Sequence, residues 1–348
     1  MKNIIKTIIA GLVLAACSDG YIDDITQVST GEDASAPQVT IATSGTTWIA
    51  SSQTSANLNF IFTVVDDIEI SKVDLLYDGV VIETFDNFLD YRNFTKEYPY
   101  SNIAVGDHTL TVNAVDKAGK TTTATSNFTV KKYFPILDSE VFYMPFDNDY
   151  MNLINLSFAS TFGAPTIATG GFSGNAYKGA TDSYLIYPLA GLYSSEGISF
   201  TFRYKVDAAP TRAGIITIND NEINTDENRK QGIRIFREGG TAKQRIKLNV
   251  GTGTADSWND GAEIDVNNTW VHIAVTISPT ESKIYFDGVL QRTSTYSAFD
   301  LSTSTNMVIG SGAPSFTYWS HNSDLSLIDD LRVYNKALTQ EDVAVSMQ

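Results

Sequence analysis

The sequence predicts an all-β protein made of two successive β-sandwich domains. Apolar and polar residues alternate with a period of two in many short runs, among them 58–64 and 198–205, and this pattern is typical of half-buried strands. Asp-Gly pairs at 78–79 and 287–288 stand between apolar runs, and Gly there supplies the positive φ of a tight hairpin. The one helix signal is the N-cap pattern that begins at Thr339, near the end of the chain.

Residues 1–16 are predicted to be a signal peptide. Two lysines precede the apolar run Ile8–Ala16, which is too short to span a bilayer. The run ends in Leu14-Ala15-Ala16-Cys17, which resembles the bacterial lipobox, in which the Cys is lipidated and the peptide is cut just before it. Cys17 is the only cysteine of the chain. The resemblance therefore implies a lipoprotein that contacts the membrane through its lipid anchor alone.

Residues 17–37 are polar and acidic and are predicted to form a flexible tether. Ser18-Asp19-Gly20 followed by Asp23-Asp24 resembles the export signal of Bacteroidetes surface lipoproteins, which implies an outer-membrane location facing the cell exterior. The formal net charge of the chain is −16. A body this acidic repels polyanions, so nucleic-acid binding is excluded as a function.

The first domain is predicted to span 38–131. Roughly seven short strands without a helical segment favour a β-sandwich, and the pattern resembles bacterial immunoglobulin-like modules. His108 stands at a strand start, where we expect it to be solvated. A short linker that contains Pro135 follows and leads into the second domain, 138–348.

Four stretches of the second domain carry a family resemblance. They are Tyr143–Asp147, Gly170–Ala176, Trp270–Val275 with Ile284–Gly288, and Leu327–Leu338. Their order and spacing resemble the laminin-G/concanavalin A-like jelly-roll group of bacterial surface proteins. The resemblance implies a jelly-roll β-sandwich with a general binding role, and it places Trp270 and a structural His272 in the core.

Glu263-Ile264-Asp265 resembles half of a glucanase motif. Concanavalin A-like β-glucanases carry their carboxylates on one strand as Glu-x-Asp-x-Glu or with one more spacer residue, and a retaining mechanism sets the two carboxyls about 5 Å apart. Here Asn267 and Asn268 stand where the second Glu would fall, and an amide cannot transfer the proton. We therefore expect solvated acids and a protein that is not an enzyme.

Asp147 and Asp329 are the predicted metal ligands. Asp329 has the parity of Leu331 and Val333, so it should point inward, and a buried carboxylate must be paired, protonated or metal-bound. The resemblance implies that the first and last strands lie close together, which would let both acids share a structural Ca²⁺. The alternative is that Asp329 accepts only backbone N–H bonds.

Two aromatic segments with polar, turn-forming sequence are the predicted ligand-binding surface. Sugar rings stack on indoles while neighbouring amides and carboxylates bind the hydroxyls; the alternative is that each ring covers its own core. The predicted binding residues are Trp258, Asn259, Asp260, Tyr318, Trp319 and Asn322.

These features favour a non-catalytic surface lipoprotein that captures a polysaccharide or oligosaccharide through its second domain. Such two-part chains resemble the surface glycan-binding components of Bacteroidetes polysaccharide-uptake systems, which implies an outer-membrane uptake complex as partner. Two alternatives stay open at this point: a surface adhesin or structural protein that binds protein or matrix, and a divergent polysaccharide hydrolase or lyase.

Overall fold

The computed structural model describes residues 33–219 and 229–348. Cys17, the signal peptide and most of the tether lie outside these described residues. Two compact units divide the chain, the first ending at Val130 and the second beginning at Lys131 and also including Trp48–Thr54.

The first domain consists of two antiparallel sheets. Its strands are β1 (Gln38–Ile41), β2 (Gly45–Ile49), β3 (Ala56–Val65), β4 (Ile70–Tyr77), β5 (Val80–Phe85), β6 (Asn93–Ile103), β7 (Gly106–Asp116) and β8 (Thr121–Lys132). The sheet orders are β1-β3-β6 and β2-β8-β7-β4-β5. Phe60, Phe62 and Val64 of β3 are buried together with Leu110 and Val112 of β7, as the period-two pattern predicts.

His108 is not solvated, contrary to the prediction. Its Nδ1 lies 2.7 Å from the Tyr77 hydroxyl and 2.8 Å from Asp78 Oδ2, and its Nε2 lies 2.9 Å from the Ala104 carbonyl oxygen. The hairpin that begins at Asp78 brings these partners over the start of β7, where a single sequence position gives no sign of them.

The second domain contains the remaining strands and the single helix of the described residues. They are β9 (Glu140–Met144), β10 (Met151–Asn152), β11 (Ser157–Phe158), β12 (Ser160–Phe162), β13 (Thr166–Thr169), β14 (Asn175–Lys178), β15 (Tyr184–Pro188), β16 (Ile198–Lys205), β17 (Arg212–Ile218), β18 (Ile233–Gly239), β19 (Lys243–Gly251), β20 (Asp256–Asp265), β21 (Val271–Ile277), β22 (Glu281–Phe286), β23 (Val289–Thr295), β24 (Asn306–Ile309), β25 (Leu327–Tyr334) and α1 (Gln340–Val345). Thr339 and Asp342 form the predicted capping box at the start of α1.

Two large antiparallel sheets form the sandwich of this domain. One has the order β12-β15-β24-β17-β18-β19-β20, and the other has the order β13-β14-β25-β16-β21-β22-β23 with β9 paired to β25. Phe200 and Phe202 of one sheet and Ile235 and Leu248 of the other belong to a single buried core. The predicted all-β class and jelly-roll sandwich are confirmed.

Trp270 lies outside this core, and its predicted core position is wrong. It is only half-buried, and the Lys205 ammonium lies 5.3 Å from its ring centroid. Ile273 and Val275 of β21 face the core, so the opposite parity of Trp270 directs it to the outer face of the sheet. His272 shares that parity but is buried, and burial lowers its pKa to about 3, so it stays neutral.

Candidate functional site

The candidate site lies on the outer face of the sheet that contains β17–β20. Strand β18 is buried on both faces: Ile233 and Ile235 belong to the core, whereas Phe236 points the other way. The segment between β24 and β25 covers Phe236, with the rings of Phe316 and His321 at centroid distances of 5.5 Å and 4.4 Å. This segment also carries the second predicted aromatic group.

The two predicted tryptophans come together on this face. The Trp258 and Trp319 rings stack with a centroid distance of 5.6 Å and an interplanar angle of 27°. Trp258 meets the ring of Phe236 edge-on at 6.0 Å. The sequence suggested a loop position for Trp258, but the residue lies on β20 and pairs in register with Asn249 of β19. Both rings are half-buried, so each keeps some surface open to solvent.

A pocket of about 460 Å³ opens beside the two indoles. We call it the Trp pocket; it is lined by Arg212, Phe236, Glu238, Lys247, Trp258, Asp260 and Trp319. A second cavity of about 720 Å³ shares Arg212 and Glu238 with it. The two cavities therefore adjoin and form one groove. The volume of this groove suits a small ligand or a short polymer segment.

Charged groups in the Trp pocket neutralise one another. Lys247 Nζ lies 2.8 Å from Glu238 Oε1 and 3.1 Å from Asp260 Oδ1. Arg212 Nη2 lies 3.3 Å from Glu238 Oε2. Burial lowers the pKa of Lys247, but its bonds to Glu238 and Asp260 outweigh burial and raise it. The pocket thus offers fixed donors and acceptors with little net charge.

Arg229 adds a cation to the edge of the aromatic group. Its guanidinium carbon lies 4.8 Å from the Trp319 ring centroid and 5.7 Å from that of Trp258. Its Nη1 also lies 3.4 Å from Asp256 Oδ2. Cation–π attraction of this kind adds to the packing of the indole pair.

His321 and Arg234 support the site but were not predicted. His321 is fully buried between Phe236 and Phe316, and burial lowers its pKa to about 4, so the ring is neutral near pH 7. Arg234 is fully buried beneath Phe316, at 5.6 Å from its ring centroid, and its Nη1 donates to Asn249 Oδ1 at 2.9 Å. A charged residue on an alternating strand predicts a solvated face, so the sequence gives no signal for Arg234.

Two of the predicted binding residues do not line the Trp pocket. Asn259 is buried, donates to the Ser282 carbonyl at 3.1 Å and accepts from Gly261 N–H at 3.0 Å. Its amide therefore holds two strands together. Asn322 is exposed, but it lines a separate cavity of about 320 Å³. Parity separates Asn259 from Trp258 and Asp260 on the same strand.

Tyr318 takes a supporting position beside the pocket. Its ring meets the rings of Phe316 and Trp319 edge-on, each at a centroid distance of 5.3 Å. Of the six predicted residues, Trp258, Asp260 and Trp319 line the pocket, and Tyr318 packs behind Trp319.

The carboxylates of Asp147 and Asp329 both accept hydrogen bonds from backbone N–H groups of the glycine-rich turn at 170–176. Asp329 is fully buried; its Oδ2 accepts from Phe172 N–H at 2.7 Å and Ser173 N–H at 3.0 Å, and its Oδ1 accepts from Asp330 N–H at 2.8 Å. Asp147 Oδ1 accepts from Asn175 N–H at 3.3 Å. Burial raises the pKa of Asp329 to about 7 although these amides favour the charged form.

The amide contacts account for the burial of Asp329 without a metal ion. Ca²⁺ needs six to eight oxygen ligands, whereas amide donors already occupy the oxygens of Asp329. Across 33–219 and 229–348, no group of three or more His, Cys, Asp or Glu side chains is placed to hold a metal ion. The bonds of Asp329 match the alternative that it accepts from backbone N–H groups. Calcium at Asp147 and Asp329 stays a prediction.

The two acids of the half motif on β20 form surface ion pairs. Glu263 Oε1 lies 2.9 Å from Arg245 Nη2, and Asp265 Oδ1 lies 3.5 Å from Lys243 Nζ. Both carboxylates are exposed. Each is thus a solvated, paired acid, as expected from the missing second Glu.

Comparison with known proteins supports the fold of the second domain. Residues 178–344 match the Laminin_G_3 family, described as the concanavalin A-like lectin/glucanases superfamily. A search of curated proteins finds no significant match. The family match lies within the second domain and agrees with its jelly-roll fold. In the described part of the chain, no helix is long and apolar enough to cross a membrane.

The solved structures that align with this chain are distant in sequence. Domain 4 of an extracellular GH43 arabinanase from Geobacillus stearothermophilus, in complex with arabinotriose, is 21% identical with a TM-score of 0.48; the alignment covers 60% of this chain and 98% of that one. A putative carbohydrate-binding protein from Bacteroides ovatus is 12% identical with a TM-score of 0.34, covering 88% and 84%. The binding domain of botulinum neurotoxin serotype C1 is 15% identical with a TM-score of 0.43, covering 61% and 52%, so this chain spans about half of its length.

Proposed function

We propose that this chain is a non-catalytic surface lipoprotein that binds a carbohydrate at the Trp pocket of its concanavalin A-like domain. The observation that carries the proposal is the stacking of Trp258 on Trp319 at 5.6 Å, beside a pocket with polar walls. The two indoles come from separate elements and together present apolar surface to solvent on one sheet face. Such exposed apolar surface is unfavourable in water and is typical of a site that a ligand covers.

The chemistry of the pocket suits a sugar. The C–H faces of a pyranose or furanose ring pack on an indole, and hydroxyl groups need donors and acceptors around it. Arg212 and Lys247 offer donors, while Glu238 and Asp260 offer acceptors. The same residues would hold a sugar ring in one orientation.

The charge balance favours an uncharged sugar. Arg212 and Lys247 are both paired with Glu238, and Lys247 is also paired with Asp260. An anionic sugar would have to break these pairs, which costs free energy, because both cations among the described residues that line the pocket are already paired. The adjoining cavity extends the groove, so a chain of several sugar units would fit better than a monosaccharide.

The proposal places the binding domain at the end of a lipid-anchored chain. Lipidation of Cys17 would fix the protein to the outer membrane, and the tether and first domain would hold the second domain away from the lipid surface. Capture of polysaccharide for uptake is the role that this arrangement serves.

The test compares indole deletions on two faces of the second domain. Calorimetric titration with oligosaccharides chosen from a glycan array should show tight binding to wild type. Ring stacking by analogy with nucleobases is worth about 1–3 kcal/mol, so Trp258→Ala and Trp319→Ala should weaken binding roughly 5- to 150-fold. Trp270→Ala removes the same indole from a half-buried site outside the Trp pocket and should leave affinity within about twofold.

Two results would contradict the proposal. Binding of a partner protein, but of no oligosaccharide on the array, would point to an adhesin. Release of reducing ends from a polysaccharide by wild type, with loss of that release in Glu263→Gln, would show an enzyme.

A further inference from the structure

Two buried carboxylates belong to neighbouring turns at one end of the first domain. Asp66 follows β3 and is 5% exposed, and Asp116 ends β7 and is 2% exposed. Ile70 pairs in register with Asp116, and Lys117 N–H donates to the Glu69 carbonyl at 3.0 Å. These contacts bring the turn after β3 against the turn after β7.

Each carboxylate uses only one of its oxygens. Asp66 Oδ2 accepts from Ile68 N–H at 2.9 Å, and Asp116 Oδ1 accepts from Lys120 N–H at 2.8 Å. Asp66 Oδ1 and Asp116 Oδ2 are covered from solvent and have no hydrogen-bond partner among the described residues. Buried polar atoms without a partner are rare and require an explanation.

The cations nearby bind other groups. Lys120 Nζ donates to the Asp33 carbonyl at 2.7 Å, Lys117 Nζ lies 3.1 Å from Glu69 Oε2, and Arg92 Nε donates to the Ile68 carbonyl at 3.3 Å. Burial and repulsion from Asp116 raise the pKa of Asp66. None of these three basic side chains is hydrogen-bonded to Asp66 Oδ1 or to Asp116 Oδ2.

We propose that a divalent cation, with Ca²⁺ as the best fit, binds between Asp66 Oδ1 and Asp116 Oδ2. A cation that bridges two carboxylates satisfies both free oxygens and removes their repulsion. Backbone carbonyls of the two turns and water would supply the other ligands, which Ca²⁺ accepts more readily than Mg²⁺ because its geometry is flexible. The cation would tie the β3–β4 turn to the β7–β8 turn and make the first domain a calcium-stabilised spacer.

The site is tested by calcium titration of the full-length protein. Asp329→Asn serves as the background, so that any calcium at the second domain does not contribute. We expect one Ca²⁺ per chain and a higher melting temperature of the first domain with calcium. Asp66→Asn and Asp116→Asn should each weaken binding at least tenfold, whereas Asp107→Asn, which alters an exposed acid of the same domain, should bind as the background does.

Three results would overturn the proposal. The first is a wild-type protein that binds no calcium, a result that needs no variant and therefore does not depend on whether the Asn proteins fold. The second is unchanged affinity in folded Asp66→Asn and Asp116→Asn proteins. The third is a gain in stability in either Asn variant that is independent of calcium, which would show that the two carboxyls share a proton.

Discussion

Replacing Asp324 by Asn should destabilise the second domain by about 3–5 kcal/mol, because it leaves the buried Arg237 without its counter-ion. Both side chains are almost wholly buried, at 0% for Arg237 and 1% for Asp324. Asp324 Oδ1 accepts from Arg237 Nε at 3.0 Å and Nη2 at 2.9 Å, and its Oδ2 accepts from the Tyr204 hydroxyl at 2.6 Å. Asp324 lies in the segment before β25, so these bonds join β18 of one sheet to that segment and to β16 of the other sheet.

The size of this effect follows from desolvation. A guanidinium that stays charged in the core has lost its water, and without the carboxylate it keeps only two neutral acceptors, the Pro210 carbonyl at 2.7 Å and Gln244 Oε1 at 2.9 Å. In a domain of this length about 1 kcal/mol shifts the melting temperature by roughly 2–4 °C, so the loss should be about 6–20 °C. The cost should largely disappear in Arg237→Met/Asp324→Leu, because a well-packed apolar pair can replace a buried ion pair at little cost.

Thermal unfolding of four proteins decides the matter. Wild type, Asp324→Asn and the double variant are compared with Asp265→Asn, which breaks the exposed pair with Lys243 and should leave the melting temperature unchanged. A loss below about 1 kcal/mol in Asp324→Asn, within the range of exposed pairs, would refute the reasoning. A double variant as unstable as Asp324→Asn would show that packing rather than charge causes the loss.

Four further outcomes are expected. Cys17→Ala should give a folded protein that no longer fractionates with membranes; persistent membrane association would contradict the lipoprotein prediction. Residues 131–348 should fold alone, with a cooperative melt, and aggregation of this fragment beside a soluble full chain would contradict the domain boundary. Asp329→Ala should lower the melting temperature equally with and without chelator, since it leaves three backbone amides unpaired; a chelator effect seen only in wild type would support calcium instead. For His108, burial lowers the pKa, but its bonds to Asp78 and the Ala104 carbonyl outweigh burial and raise it above 6.5. The folded pKa thus exceeds the unfolded one, so this stabilisation is complete below about pH 6.5 and is lost as the pH rises through the folded pKa; His108→Gln should remove that pH dependence of unfolding.

The fold was predictable because its signals are local. Alternation in β3 and β16, the Asp-Gly hairpins and the Thr339 capping box depend on neighbouring residues, and local patterns specify strand parity and turn type. Asp329 has the parity of Leu331 and Val333 and is buried with them, whereas Trp270 has the opposite parity to Ile273 and Val275 and lies outside the core.

The site was predictable only in part, because strand parity fails where both faces of a sheet are covered. Trp258 and Trp319 stood out as large rings in polar sequence, but Asn259 was grouped with them although it faces the other way and is buried. Arg234 and Arg237 occupy opposite faces of β18, and both are fully buried. A charged residue in a strand is ordinarily read as solvated, since its partner is invisible in the local sequence.

The sequence by itself determined the all-β class, the jelly-roll resemblance and the aromatic residues of the candidate site. Only the tertiary structure decided that Trp258 meets Trp319, that Asp324 neutralises Arg237, and that Asp66 and Asp116 are both buried with one carboxylate oxygen unpartnered. These facts depend on contacts between segments far apart in the chain. Such contacts form when the folded sheets bring distant residues within a few ångströms, and no local periodicity encodes that distance.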